Sequence, residues 1–237
     1  MRLWKFAAIA GAFAASIGAA SADKNWSGPY AGVVASGGMF TVEQEDYWCF
    51  LACNAPTLQD WDASIGAQGG FNWQTGNAVL GVVADWSTGF NNEETVLYDV
   101  TATPDGVVWK GEWNSYGTIR AQAGLAAGNA LLFVTGGIAI ADVNYSAHEI
   151  VNGVVGNCNA LANEDCADLS DTKLGYAAGA GFAMPVTDNV HVRFEYLYIG
   201  LPWDSARYNT AGTGTDDYVS WTTSAQLVRL GAVWEFN

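Results

Sequence analysis

Apolar and polar side chains alternate with a period of two along much of this chain. From Ser115 to Ala127, Ile119, Ala121, Ala123 and Leu125 share one face and Thr118, Arg120 and Gln122 the other. From Val190 to Gly200, Val192, Phe194, Tyr196 and Tyr198 oppose His191, Arg193 and Glu195. Near the end, Val228, Leu230, Ala232, Trp234 and Phe236 oppose Arg229 and Glu235, and an earlier run sets Ile65, Ala67, Phe71 and Trp73 against Ser64, Gln68, Asn72 and Gln74. Period two places successive side chains on opposite sides of a strand. Eight such runs are read, at about 28–40, 62–74, 78–88, 112–127, 130–145, 173–185, 190–201 and 220–236. The fifth is apolar on both faces from Leu131 to Ala141, so the alternation leaves its inner face open.

The connections between runs are of two kinds. Gln74-Thr75-Gly76-Asn77, Ala127-Gly128-Asn129 and Pro185-Val186-Thr187-Asp188-Asn189 are tight hairpin signals, whereas the remaining runs are joined by long acidic segments. Short turns at one end and long loops at the other describe an up-and-down barrel in a bacterial outer membrane, with its turns in the periplasm. Lipid enforces closure, because every backbone N–H and C=O there needs a partner within the protein and an open sheet edge has none. The predicted fold is therefore all-β: an eight-stranded antiparallel transmembrane barrel with short periplasmic turns and long extracellular loops. Gly69-Gly70, Gly136-Gly137, Gly175, Gly179 and Gly181 lie within strands, where they relieve crowding in a narrow, coiled barrel.

The N-terminus supplies an address. Arg2 and Lys5 precede an apolar run from Phe6 to Ile17, and Ala20-Ser21-Ala22 has the form of a cleavage site. Residues 1–22 read as a secretory signal peptide and 23–237 as the barrel domain. The run is too short for a membrane helix, which needs about 20 apolar residues. Half of the 237 residues are hydrophobic, with 28 Gly, 11 Trp, 10 Tyr and 10 Phe, and the formal net charge is −15. So few cations argue against nucleic acid as a partner, because Lys and Arg are what neutralise phosphates. Trp73, Trp86, Trp113, Tyr196, Tyr198, Trp221 and Trp234 fall near predicted strand ends, where they suggest interfacial girdles.

Several residue sets invite a chemical reading. Asp85, Arg120, Arg193, Glu195 and Arg229, with Gln68, face inward and form a candidate barrel-interior ion network. Eight strands leave an interior just wide enough for side chains to fill, and buried charges there must pair. His191 has no serine at a neighbouring position, so no catalytic constellation is read and the chain is not expected to be an enzyme. Cys49 and Cys53 share one predicted loop and Cys158 and Cys166 another. In an oxidising compartment these pairs read as loop disulfides rather than as zinc ligands or a redox motif. No cofactor or metal site is expected. The acidic residues Glu43, Glu45, Asp46, Glu93, Glu94, Asp99, Asp105, Glu149, Glu164, Asp165, Asp168, Asp171, Asp204, Asp216 and Asp217 collect in the loops as solvated surface, although carboxylates are also hard ligands for divalent cations. Trp61, Trp109 and Trp203 offer a conceivable loop platform for haem or sugar.

Four segments carry a family resemblance. Asn25-Trp26-Ser27-Gly28-Pro29-Tyr30-Ala31-Gly32, Val79-Leu80-Gly81-Val82-Val83-Ala84-Asp85-Trp86, Gly175-Tyr176-Ala177-Ala178-Gly179-Ala180-Gly181 and Val192-Arg193-Phe194-Glu195-Tyr196-Leu197-Tyr198 resemble the opacity-type, outer-membrane-protein-A-like barrels. The likeness extends over the whole mature chain and is greatest to alphaproteobacterial porin-family surface antigens, whose Arg-x-Glu-Tyr segment is matched by Arg193 to Tyr196. The resemblance implies a structural, surface-exposed barrel acting through its loops, with low-conductance porin activity or binding of haem or a host ligand as alternatives. It also implies outer-membrane lipid and lipopolysaccharide as surroundings, and barrel-assembly machinery that reads a terminal aromatic, here Phe236. Two departures stand out: Asn237 follows Phe236, and the four cysteines are additions to a plan often without them.

Overall fold

The computed structural model describes residues 24–46, 57–98, 106–155, 166–207 and 218–236. The segment read as a signal peptide lies outside them. Nine strands occur among these residues: β1 (Gly28–Asp46), β2 (Thr57–Thr75), β3 (Ala78–Tyr98), β4 (Gly106–Ala127), β5 (Ala130–Val151), the two-residue β6 (Val154–Val155), β7 (Cys166–Pro185), β8 (Val190–Arg207) and β9 (Tyr218–Glu235). The sheet order is β4-β3-β2-β1-β9-β8-β7-β5, and pairing of β4 with β5 closes a ring of eight antiparallel strands. β6 folds back on the end of β5. The tight turns stand where the sequence puts them. Gly76 and Gly128 adopt φ of 59° and 58°, a left-handed conformation that costs glycine little.

The opposite ends of the strands run further than the alternation predicts. β3 continues to Tyr98 rather than stopping near 88, and β4 begins at Gly106 rather than near 112. Strands of 18 to 22 residues exceed the roughly 9–11 that cross a bilayer, so the barrel rises well above the membrane. The outer wall of the lower part is apolar, with Val33, Ile65, Leu80, Ile119, Val134, Ile138 and Leu230 exposed. Inside that band the residues are polar.

Above the band the pattern turns inside out. Val107, Trp109, Trp113, Val143, Tyr145, Ile199 and Trp221 pack into the interior, while Asn144, Ser146 and Thr172 take the outer face. On β4 the reversal has a mechanical cause. The ladder to β5 slips between Trp113 and Ser115, leaving Asn114 as an extra residue, and one extra residue exchanges the two faces of a strand. Odd-numbered residues therefore point outward below Asn114 and inward above it. Trp113, predicted as a girdle residue, is consequently a core residue, and so is Trp221, also predicted for a girdle, which keeps the inward phase of Arg229 on β9; each is 1% exposed. Trp73, Trp86, Tyr196 and Trp234 do face outward. β5 resolves its ambiguity by turning Leu131, Phe133, Thr135, Ala139 and Ala141 inward.

Candidate functional site

The interior of the membrane-embedded ring holds the five charged residues of the predicted network together. Asp85 on β3 lies opposite Thr118 on β4, two residues from Arg120, and Glu195 on β8 lies opposite Arg229 on β9. All four charged groups point inward because they keep the phase of the polar face. Arg120 is the hub. Its Nη2 donates to Asp85 Oδ2 at 2.8 Å, its Nη1 to Glu195 Oε1 at 2.6 Å, its Nε to Thr118 Oγ1 at 2.9 Å and its Nη1 also to Thr135 Oγ1 at 2.9 Å. Thr118 donates to Asp85 at 2.7 Å and Thr135 to Glu195 at 3.0 Å. Arg229 closes the circuit, with Nη2 at 3.0 Å from Asp85 Oδ1 and Nη1 at 3.5 Å from Glu195 Oε2.

Arg193 sits at the margin of this circuit. Its Nη2 is 3.7 Å from Glu195 Oε1, and its guanidinium lies 3.7 Å from the centre of the Phe133 ring. The ring face supplies the negative electrostatic surface that a second carboxylate would otherwise give. Gln68 is buried nearby and donates to Val33 O at 3.4 Å, and Gln122 donates to Asn72 at 3.1 Å. Thr118 and Thr135 are members that sequence reasoning missed. Their inward phase was the available signal, although Thr135 lies on the strand whose inner face the pattern left open. Lys173 also shares the inward register of β7. It pairs with Asp171 at 2.9 Å, and that contact with the Thr172 amide holds the Asp171 carboxyl below its usual range above the membrane band.

A second cluster closes the interior at the turn end. Trp26, just before β1, is 1% exposed and packs edge-on against His191, with ring centres 5.3 Å apart. Its amide donates to Gln74 Oε1 at 2.7 Å, and Lys24 donates to Glu235 Oε2 at 2.7 Å and to Asp188 O at 3.2 Å. His191 Nδ1 lies 3.2 Å from Glu235 Oε1. His191 is thus surrounded by an indole and a carboxylate. Trp26 also joins Val79, Ala126, Leu131, Phe133 and Ala183 in a small apolar layer. Phe236 is exposed, and its amide is fixed to Pro29 O at 3.0 Å.

The remaining predicted sites are dispersed. Trp61 points outward and is 74% exposed, whereas Trp109 is wholly buried in the interior, so these two do not share a platform. Trp203 lies on β8, but its side chain is outside the described residues, as are Cys49, Cys53, Cys158 and the Cys166 side chain. Several acidic residues assigned to loops stand on strand ends instead. Asp168 Oδ1 lies 2.7 Å from His148 Nε2, between β7 and β5.

Compared with known proteins, the sequence profile of the family described as "Outer membrane protein beta-barrel domain" matches residues 6–236. A 22 kDa outer membrane protein of Rhizobium leguminosarum bv. viciae is 33% identical over 129 residues, which cover 54% of this chain and 48% of that protein. The match thus spans about half the length of that relative. A 31 kDa outer-membrane immunogenic protein of Brucella suis biovar 1 is 30% identical over 194 residues, covering 75% of this chain and 72% of that protein. The crystal structure of the outer membrane protein OprG from Pseudomonas aeruginosa superposes with a TM-score of 0.53 at 13% identity, over 89% of this chain and 97% of the other. At that identity the likeness concerns the fold alone.

Proposed function

From the premise that this chain belongs to the outer membrane protein beta-barrel family and resides in the bacterial outer membrane, we propose that it is a structural, surface-exposed barrel whose outside contacts run through its loops. The observation that carries this reading is the filled interior. Going from the turn end outward, the Trp26 layer, the Arg120 network and the aromatic core succeed one another, and Trp26, Trp109, Trp113, Trp221, Arg120 and Arg229 are all fully buried. A conducting pore needs a continuous wet path, and side chains occupy it here at three levels. The reading is also non-enzymatic: Asp85 and Glu195 are engaged by guanidinium groups, and His191 faces Trp26 and Glu235 rather than a nucleophile. Relatives named as immunogenic outer-membrane proteins fit a chain displayed to the outside.

Single-channel recording of the refolded chain in a planar bilayer tests the reading. The expected result is no stable current. A steady open conductance would replace it with the porin alternative, and a stoichiometric spectral change on titration with haem would replace it with the haem-binding one. Orientation is read independently by thiol labelling of single-cysteine variants in intact cells. Positions 94, 165 and 216 should react and positions 76 and 128 should not.

A further inference from the structure

The ring of eight is not bonded along its whole height. Neighbouring strands pair to their upper ends at β1–β2, β1–β9, β8–β9, β3–β4, β4–β5 and β5–β7. Among the described residues, β2 pairs with β3 only below Gly66 and Ser87, and β7 pairs with β8 only below Tyr176 and Gly200. Four strands separate these two seams in either direction around the ring, so they lie on opposite sides. Above them the barrel is two four-stranded leaves, β2-β1-β9-β8 and β3-β4-β5-β7.

The seams are finished rather than merely open. The Ile65 amide, first above the last β2–β3 pair, donates to the Thr88 hydroxyl at 3.2 Å. The amides of Trp61 and Ala63 follow on the same edge, and each donates to the carboxylate of the residue before it, Asp60 and Asp62, at 2.6 Å. On β7 the Asp171 carboxylate takes the Thr172 amide at 2.7 Å. Carboxylates turned onto an edge blunt it against pairing with another strand. On β8, Pro202, at the slip of the β8–β9 ladder between Leu201 and Asp204, has no amide to offer a further strand.

Side chains, not backbone bonds, hold the leaves to each other. Phe40 meets Trp113 edge-on at 5.3 Å, Tyr145 stacks on Trp221 at 5.5 Å, and the Tyr145 hydroxyl bonds Thr223 Oγ1 at 2.6 Å. Each of these pairs joins one leaf to the other. We infer that the extracellular half of the barrel is a clamshell whose leaves part along the two seams, hinged on the closed ring below, while that ring stays intact. Parting breaks packing, the hydroxyl contacts of Tyr145 with Thr223 and of Tyr116 with Ser64 and Ser36, and the Ile65–Thr88 bond, but no strand ladder, and the amides of Trp61, Ala63 and Thr172 keep their carboxylate partners when it happens.

The test uses the refolded barrel with its four cysteines replaced by serine. Ala225→Cys and Ala147→Cys place a thiol in the inter-leaf core, and Ala183→Cys places one in the turn-end layer as a reference; all three alanines are at most 1% exposed. A maleimide should modify Cys at 225 and 147 at least tenfold faster than at 183. Cross-linking Leu174→Cys to Pro202→Cys and Ile65→Cys to Thr88→Cys with a short bis-maleimide before that step closes both seams, and should bring the fast rates down to the reference. Cross-linking Glu43→Cys to Thr57→Cys, partners within one leaf, should leave them fast. Equal rates at all three sites would overturn the inference, because the leaves would then stay shut. So would fast rates that ignore the seam cross-links or that fall equally with the within-leaf one.

Discussion

Arg120 and Glu195 stand 75 residues apart in the chain and meet at 2.6 Å inside the barrel, three strands apart around the ring. A single ion pair thereby ties the first half of the barrel to the second, and Arg120 extends the tie to Asp85 with its other amino group. Removing one partner of a buried pair leaves a charge with no water to turn to. Glu195→Ala is expected to cost about 3–5 kcal/mol on that account. Asp216→Ala, in a segment read as a loop from the sequence, should change stability by less than about 0.5 kcal/mol. Urea midpoints of the refolded barrel, read by the gel shift between folded and unfolded forms, compare the two. Equal midpoints would deny the network a structural role.

Trp26 should behave as a structural member of the barrel although it precedes the first strand. Truncating a buried indole typically costs about 3–5 kcal/mol, so Trp26→Ala should lower the same midpoint by that order. Lys24→Gln, which removes a partly exposed ion pair, should cost about 1 kcal/mol or less. If the two variants unfold alike, the indole is not seated against His191 as described.

Adjacent glycines on β5 give a sharper contrast. A methyl on Gly136 would meet nothing within 4 Å, whereas one on Gly137 would enter the space of the Ile119 carbonyl and the Arg120 Cα. Gly136→Ala should be neutral or stabilise by about 0.4–1 kcal/mol through the unfolded chain. Gly137→Ala should lose about 1–3 kcal/mol or fail to refold, as overpacking does. Refolding yield and midpoint of the two variants decide the matter.

For the cysteines, pairing of Cys49 with Cys53 and of Cys158 with Cys166 is proposed. Rings this small constrain the unfolded chain little, and each should contribute on the order of 2 kcal/mol or less. Reduction should therefore leave the barrel folded. Peptide mapping without reductant that finds cross-loop pairs or four free thiols would refute the arrangement.

The membrane-embedded half of this fold was legible because lipid imposes one rule on it: apolar outside, polar inside. Val192 to Tyr198 and Val228 to Trp234 obey it, and Arg193, Glu195 and Arg229 lie buried on the opposite face. The upper ends were not legible because the rule reverses there while the period does not. On β4 apolar residues stay on odd positions throughout, from Val107 to Leu125, and only the extra Asn114 turns them from lipid-facing to core-facing. Nothing in the alternation announces that slip. The Trp26 contact escaped for a different reason: Trp26 belongs to no strand, so the fold of its neighbours, not its own periodicity, decides where it lies.

The dry upper interior has one more effect, on reach. β5 runs on from Ile140, its last outward aliphatic residue in the lipid band, to Val151. At ~3.3 Å per residue and a tilt of about 40°, that extension lifts the end of β5 roughly 28 Å above Ile140. A pedestal of this height holds the described ends of the strands clear of the lipid band. A large macromolecule approaching from outside thus meets the tops of the strands before it meets the membrane.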